Sequence, residues 1–193
     1  DYGSSLYQIT KIGANQLHAL GFKGQGVTIA VLDAGFNNMS HEVFAGIKVA
    51  ATYDFVNHQI SVADGTGLLG SGFHGNSVLS LIGGYKPGKM IGPAFESNYL
   101  LAKTENTSSE TPIEEDNWIA GIEWADSLGA DIVTSSLGYL EFDAPYTSYT
   151  WENMDGRTCR ISIAANLAAR KGITVFSSAA NQGYDANHNT LAA

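Results

Sequence analysis

Short apolar runs and amphipathic stretches alternate along the 193 residues. Residues 27–32 (Val-Thr-Ile-Ala-Val-Leu) are largely apolar and β-branched, with Gly24 and Gly26 before them and Asp33 and Gly35 after. A run this short, without polar alternation, reads as a strand buried on both faces of a parallel sheet. Residues 47–53, 99–103, 132–135 and 173–177 read the same way. Helical patterns fall between them. Residues 76–82 form one, just after His74. In 114–128, Trp118, Ile122 and Ala125 recur at i, i+4 and i+7 behind three acidic residues, placed where the helix dipole favours negative charge. In 159–171, Ile163, Leu167 and Arg170 stand one turn apart, and Gly172 is a stop signal. Strand–helix alternation predicts an α/β fold: a doubly wound, mostly parallel sheet with helices on both faces. A sheet of about five such strands would leave one edge bare, so it is expected to be incomplete in this chain.

Composition narrows the partners. With 44% apolar residues the chain can bury a sizeable core, and no apolar run reaches the ~18 residues of a membrane span. The opening Asp1-Tyr2-Gly3-Ser4-Ser5 has neither a basic patch nor an apolar stretch, so no signal peptide is read there. A net charge of −9 with ten Lys and Arg, none clustered, argues against nucleic acid and anionic membranes as partners. The single Cys159 excludes an internal disulfide and a cysteine-based zinc site, and reads as a plain thiol beside a helix. His41-Glu42 lacks the second histidine of a zinc-protease motif. Glu105, Glu110, Glu114, Glu115 and Asp116 lack the alternating spacing of a calcium loop and read as a solvated acidic rim at a helix start. The loops 57–71, 104–112 and 139–156 are long enough to carry recognition.

Asp33 and Asn181 stand where parallel sheets collect ligands, just past the carboxyl ends of strands, and a histidine opens a helix between them in the chain. Asp33 follows an apolar strand and is suited either to capping a turn or to accepting the Nδ1 proton of a histidine. Gly24-Gln25-Gly26 precedes that strand instead of following it, which rules out a dinucleotide fingerprint. His74 opens a helix, where the dipole keeps the imidazole neutral and basic, and Gly75 permits close approach of a substrate or partner backbone. Asn181 offers an amide after the 173–177 strand, either as a turn residue or as a donor to a developing oxyanion. Asp before His is the order of one class of serine hydrolases, yet no Gly-Thr-Ser or Gly-x-Ser-x-Gly setting for a nucleophile occurs.

Together these segments resemble the subtilisin-like (subtilase) serine endopeptidases. The likeness rests on Ala30-Val31-Leu32-Asp33-Ala34-Gly35, His74-Gly75-Asn76-Ser77-Val78, Asn117-Trp118-Ile119-Ala120-Gly121-Ile122-Glu123-Trp124-Ala125, Asp131-Ile132-Val133-Thr134-Ser135-Ser136-Leu137-Gly138 and Ser178-Ala179-Ala180-Asn181-Gln182-Gly183. It implies that residues 1–193 are the N-terminal portion of one catalytic domain. Asp33 would orient His74, His74 would act as base and then acid, and Asn181 would bind the oxyanion. Ser136, Leu137 and Gly138 would pair with the substrate backbone and form one S1 wall, with Ala179 and Ala180 as the other. The expected partners are a peptide or protein substrate and a C-terminal portion or second chain carrying the serine. No cofactor is expected, calcium enters through the resemblance alone, and the implied location is secreted or otherwise outside the cytoplasm. The alternative is a catalytically dead module that captures extended peptides along 136–138. The sequence departs from the family pattern at Asn76 (usually Thr) and Ser77 (often His), where both side chains are expected to suit a helix start. It departs also at Ala180 (usually Gly), whose methyl would narrow S1 toward smaller or flatter P1 side chains, and at Gln182 (often acidic), which would weaken a basic P1 preference.

Overall fold

The computed structural model describes residues 1–181. In chain order its elements are α1 (Leu6–Lys11), α2 (Ala14–Ala19), β1 (Thr28–Asp33), β2 (Lys48–Asp54), α3 (His74–Gly83), β3 (Tyr85–Lys86), β4 (Met90–Ile91), β5 (Asn98–Lys103), α4 (Pro112–Ser127), β6 (Ile132–Ser135), α5 (Arg160–Arg170) and β7 (Thr174–Ser177). Five strands form one parallel sheet in the order β2-β5-β1-β6-β7, and β3 and β4 form a separate small hairpin.

The central strand shows why a nearly unbroken apolar run is required. Ala30 and Leu32 point to one face, into a cluster with Trp118, Ile122 and Ala125 of α4 and Ile161 and Ala168 of α5. Ile29 and Val31 point to the other, with Leu79 of α3 and Phe36, Val43 and Phe44. Neighbouring β5 divides likewise, Leu100 and Ala102 to the first cluster and Tyr99 and Leu101 to the second. Each buried Val, Leu, Ile or Phe side chain here contributes about 1.5–3 kcal/mol. Among the described residues β2 and β7 are the outer strands.

Two sequence expectations are corrected. In α5 the stripe Ile163 and Leu167 lies 41% and 54% exposed, while Ile161 and Ala168 are buried. Ala164 and Ala165 also pack against the core. The inner face of the helix therefore runs along Ile161, Ala164, Ala165 and Ala168. The acidic rim is only partly solvated: Glu110 and Asp116 are exposed, but Glu105, Glu114 and Glu115 are buried. Glu114 completes a capping box with Thr111 at the start of α4, where Pro112 takes the first turn. Glu115 accepts from Tyr149 Oη at 3.1 Å and from Arg160 Nη2 at 3.0 Å. Glu105 accepts from Thr104 Oγ1 at 2.9 Å and from the hydroxyl of Tyr139.

Candidate active site

Parallel register brings the relevant strand ends to one edge. Leu32 pairs with Ser135, and Ser135 pairs with Ser177. Asp33, at the end of β1, is wholly buried. Its Oδ1 accepts from Ala34 N at 2.7 Å and lies 2.8 Å from His74 Nδ1. Burial pushes the carboxyl above its ordinary value, and the hydrogen bonds from His74 and Ala34 pull only partly against that. Asp33 Oδ2 is also buried, with no hydrogen-bond partner among the described residues.

His74 is the first residue of α3, and its side chain remains 56% exposed. With Nδ1 engaged by Asp33, Nε2 is the nitrogen left to meet a reacting group. Two neighbours dock α3 against the turn after β1. A Cβ at Gly75 would sit 2.6 Å from the Gly35 carbonyl oxygen and 2.7 Å from the Phe36 ring, so the close approach that glycine permits here is to this chain's own backbone. Asn76 does not cap its helix. It is buried, accepting from Asn38 N at 2.8 Å with Nδ2 3.2 Å from the Met39 sulfur, and so stitches α3 to the same turn. Gly75→Ala is therefore expected to displace His74 from Asp33. Activity of the full-length protein should fall about 10²-fold, the scale of a 1 Å misplacement. Kinetics with a peptide substrate check this; unchanged turnover would refute the docking argument.

The proposed substrate segments meet at the same edge. Ser136 and Leu137 are half-buried and Gly138 exposed, and the next residue, Tyr139, is sunk in the core. Ser178 N donates to Ser135 O at 2.9 Å, so the segments after β6 and β7 leave the sheet side by side. Ala179 is exposed and Ala180 half-buried. Ala180 has φ 62°, a left-handed backbone that glycine adopts more readily, which is a physical reason for the family's usual glycine there. Asn181 is exposed at the end of the described residues, and Gln182 and Gly183 lie outside them.

Other candidates are quieter. Cys159 is buried and its thiol is pushed up to about 11 by desolvation and the nearby Glu115, which leaves it unreactive. Calcium, implied by the resemblance alone, meets no ready set of acidic ligands among the described residues. No three His, Cys, Asp or Glu converge on a metal position among the described residues, and Glu105, Glu114 and Glu115 are taken up by hydroxyl, backbone and Arg160 donors. Lys103 and Asp64 carry no motif; the one sequence signal is a lysine closing the apolar run Leu100-Leu101-Ala102.

A parallel α/β sheet with an Asp–His pair at its carboxyl edge defines a class of hydrolase scaffold, and the comparisons place the chain within it. The subtilase family model matches residues 24–192. Subtilisin DY of Bacillus licheniformis is 27% identical over 186 residues, covering 96% of this chain and 58% of that protein. Alkaline serine exoprotease A of Vibrio alginolyticus is 28% identical over 171 residues, covering 88% of this chain and 26% of that protein. Fervidolysin from Fervidobacterium pennivorans, a keratinolytic enzyme related to subtilisin, superposes with a TM-score of 0.67 at 19% identity, over 96% of this chain and 27% of that one. The chain belongs to the subtilase family. It spans a quarter to somewhat over half the length of these relatives.

Proposed function

We propose that this chain supplies the general-base half of a serine endopeptidase, and that the nucleophilic serine comes from a further portion of the protein or from a second chain. The observation that carries the reading is the 2.8 Å contact between His74 Nδ1 and buried Asp33, made at the strand edge with the imidazole open to solvent. In this reading the serine hydroxyl gives its proton to His74 Nε2 as its oxygen attacks the peptide carbonyl. Asp33 stabilises the imidazolium, Asn181 donates to the oxyanion, and His74 returns the proton to the leaving amine. Ser136, Leu137 and Gly138 hold the peptide as an added strand, with Ala179 and Ala180 opposite. The chemistry asks for protein groups alone. By the same likeness the protein works outside the cytoplasm; no helix among the described residues is long and apolar enough to cross a membrane.

Fluorophosphonate labelling of the full-length protein is the test. The expected result is one labelled serine, with labelling abolished by His74→Ala, an exchange that costs subtilisin-type triads about 10⁶ in turnover. Absence of any label would overturn the protease reading in favour of a peptide-capturing module.

A further inference from the structure

The loop that delivers His74 has little to hold it. Residues 64–72 contain four glycines, mostly face solvent and form no helix or strand. Phe73, the N-cap of α3, makes no side-chain capping bond, so the helix start is held by Gly75 and Asn76 against the turn after β1 and by the loop before it. What does hold the loop converges on one buried cation. Lys103 closes β5 directly beside Asp33, and its side chain is 0% exposed. The ammonium donates to the carbonyls of Leu69 and Gly70, both at 3.0 Å. It also lies 3.6 Å from Asp54 Oδ2 and 3.7 Å from Asp64 Oδ1.

Each carboxylate extends that grip. Asp64 Oδ2 accepts from Gly72 N at 3.1 Å and from the Asn37 side chain, whose oxygen accepts from Asp64 N in turn. Asn37 belongs to the turn that follows Asp33. Asp54 Oδ2 accepts from Asn57 Nδ2 at 2.8 Å, and Asn57 clasps both the N–H and the carbonyl of Leu69, at 2.8 and 2.9 Å. Thr107 adds one bracket, on Ser71. A lysine buried between two carboxylates is a costly device, and an apolar residue at a strand end would serve stability as well or better.

We propose that Lys103 is a positioning residue for catalysis: its buried ammonium locks the 64–72 loop to the turn after Asp33 and thereby sets His74 on that carboxylate. This rests on the protease reading above. The role is mechanical and electrostatic at once, because the same cation fixes two loop carbonyls and orients the acid that holds Gly72.

The test compares wild type, Lys103→Met and Asp64→Ala in the full-length protein, each below its melting temperature. The far-downfield Nδ1 proton of ¹⁵N-labelled His74 is followed by NMR alongside peptide hydrolysis. The expected result for Lys103→Met is loss of that resonance and a kcat lowered about 10²-fold, with KM within about twofold. Asp64 reaches the surface, its side chain 31% exposed, so Asp64→Ala should fold; it is expected to lose about tenfold in kcat and to broaden the same resonance. A folded Lys103→Met with wild-type resonance and kcat overturns the proposal. Should Lys103→Met fail to fold, Asp64→Ala decides alone, and wild-type behaviour there overturns it. If the wild type shows neither the bonded Nδ1 proton nor hydrolysis, the protease reading itself falls, and this proposal with it.

Discussion

Asp33→Asn is expected to lower kcat about 10⁴-fold, the scale seen when the acid of an Asp-His-Ser triad becomes an amide, while the variant's melting temperature relative to wild type is higher at pH 7 than at pH 3. Both halves come from one environment. Oδ1 takes the Ala34 and His74 protons, and Oδ2 is buried with no hydrogen-bond partner among the described residues. An asparagine must therefore choose. With its NH₂ toward His74, the Ala34 N–H loses its acceptor, Nδ1 becomes an acceptor, the ring proton moves to Nε2, and the base can no longer take a proton from serine. With its oxygen toward His74, the NH₂ occupies the buried Oδ2 position without an acceptor, at about 1–3 kcal/mol. Stability runs the other way. Burial already holds the Asp33 carboxyl above its ordinary value, so the folded state disfavours the anion. That cost is absent at low pH and grows as pH rises past the ordinary carboxylate value; a neutral amide removes it. Kinetics and thermal melts on one preparation check both. Retention of a tenth of the activity would refute the assigned role of Asp33, and a melting difference that does not shift with pH would refute the electrostatic account.

The second large effect concerns pH. Glu105→Gln is expected to raise the melting temperature at pH 9 by on the order of 5 °C or more, and to leave it nearly unchanged at pH 4. Desolvation pushes Glu105 to about 8, against the bonds from Tyr139 and Thr104, and Glu114 and Glu110 push it the same way by like charge. Burial also pushes Glu114 to about 7, with Glu110 and Asp143 as further acidic neighbours. Between the ordinary 4.5 and these values the folded state holds protons that the unfolded chain has released. Raising the pH through that interval thus favours unfolding, and wild-type stability should fall from about pH 4.5 to about pH 8. An amide at position 105 still accepts from both hydroxyls and carries no charge to bury. Melting curves across pH 4–9 are the measurement. A wild-type profile that rises through neutral pH, or a variant that keeps the wild-type slope, would show that Glu105 is ionised in the fold without cost.

Much of this architecture is legible along the chain because it depends on local pattern. The five sheet strands appear within a residue or two of the apolar runs. Strands β1 and β5 are covered on both faces and so must be apolar at nearly every position, whereas the outer strands β2 and β7, expected to be buried in the same way, are largely half-buried or exposed. The inward face of α4 follows from Trp118, Ile122 and Ala125, all buried. Failures occur where a partner surface decides. The six-residue helices α1 and α2 are too short to show a period. In α5 the inward face is Ile161, Ala164, Ala165 and Ala168 instead of Ile163 and Leu167, a choice that apolar spacing alone does not make. Two glutamates that look like solvent-facing charge, Glu105 and Glu115, are held by Tyr139, Tyr149 and Arg160, residues 34 or more positions away in sequence.

By itself the sequence determined the parallel α/β scaffold, the order of Asp33, His74 and Asn181 along it, and the family, because strand patterning and short motifs are properties of neighbouring residues. Only the tertiary structure decided that Asp33 and His74, 41 positions apart, meet at 2.8 Å, that Gly75 and Asn76 serve the turn after β1, and that Lys103 lies buried behind the loop leading to His74. Those facts depend on which strand ends share an edge and which side chains lose their water, and a linear chain does not state either.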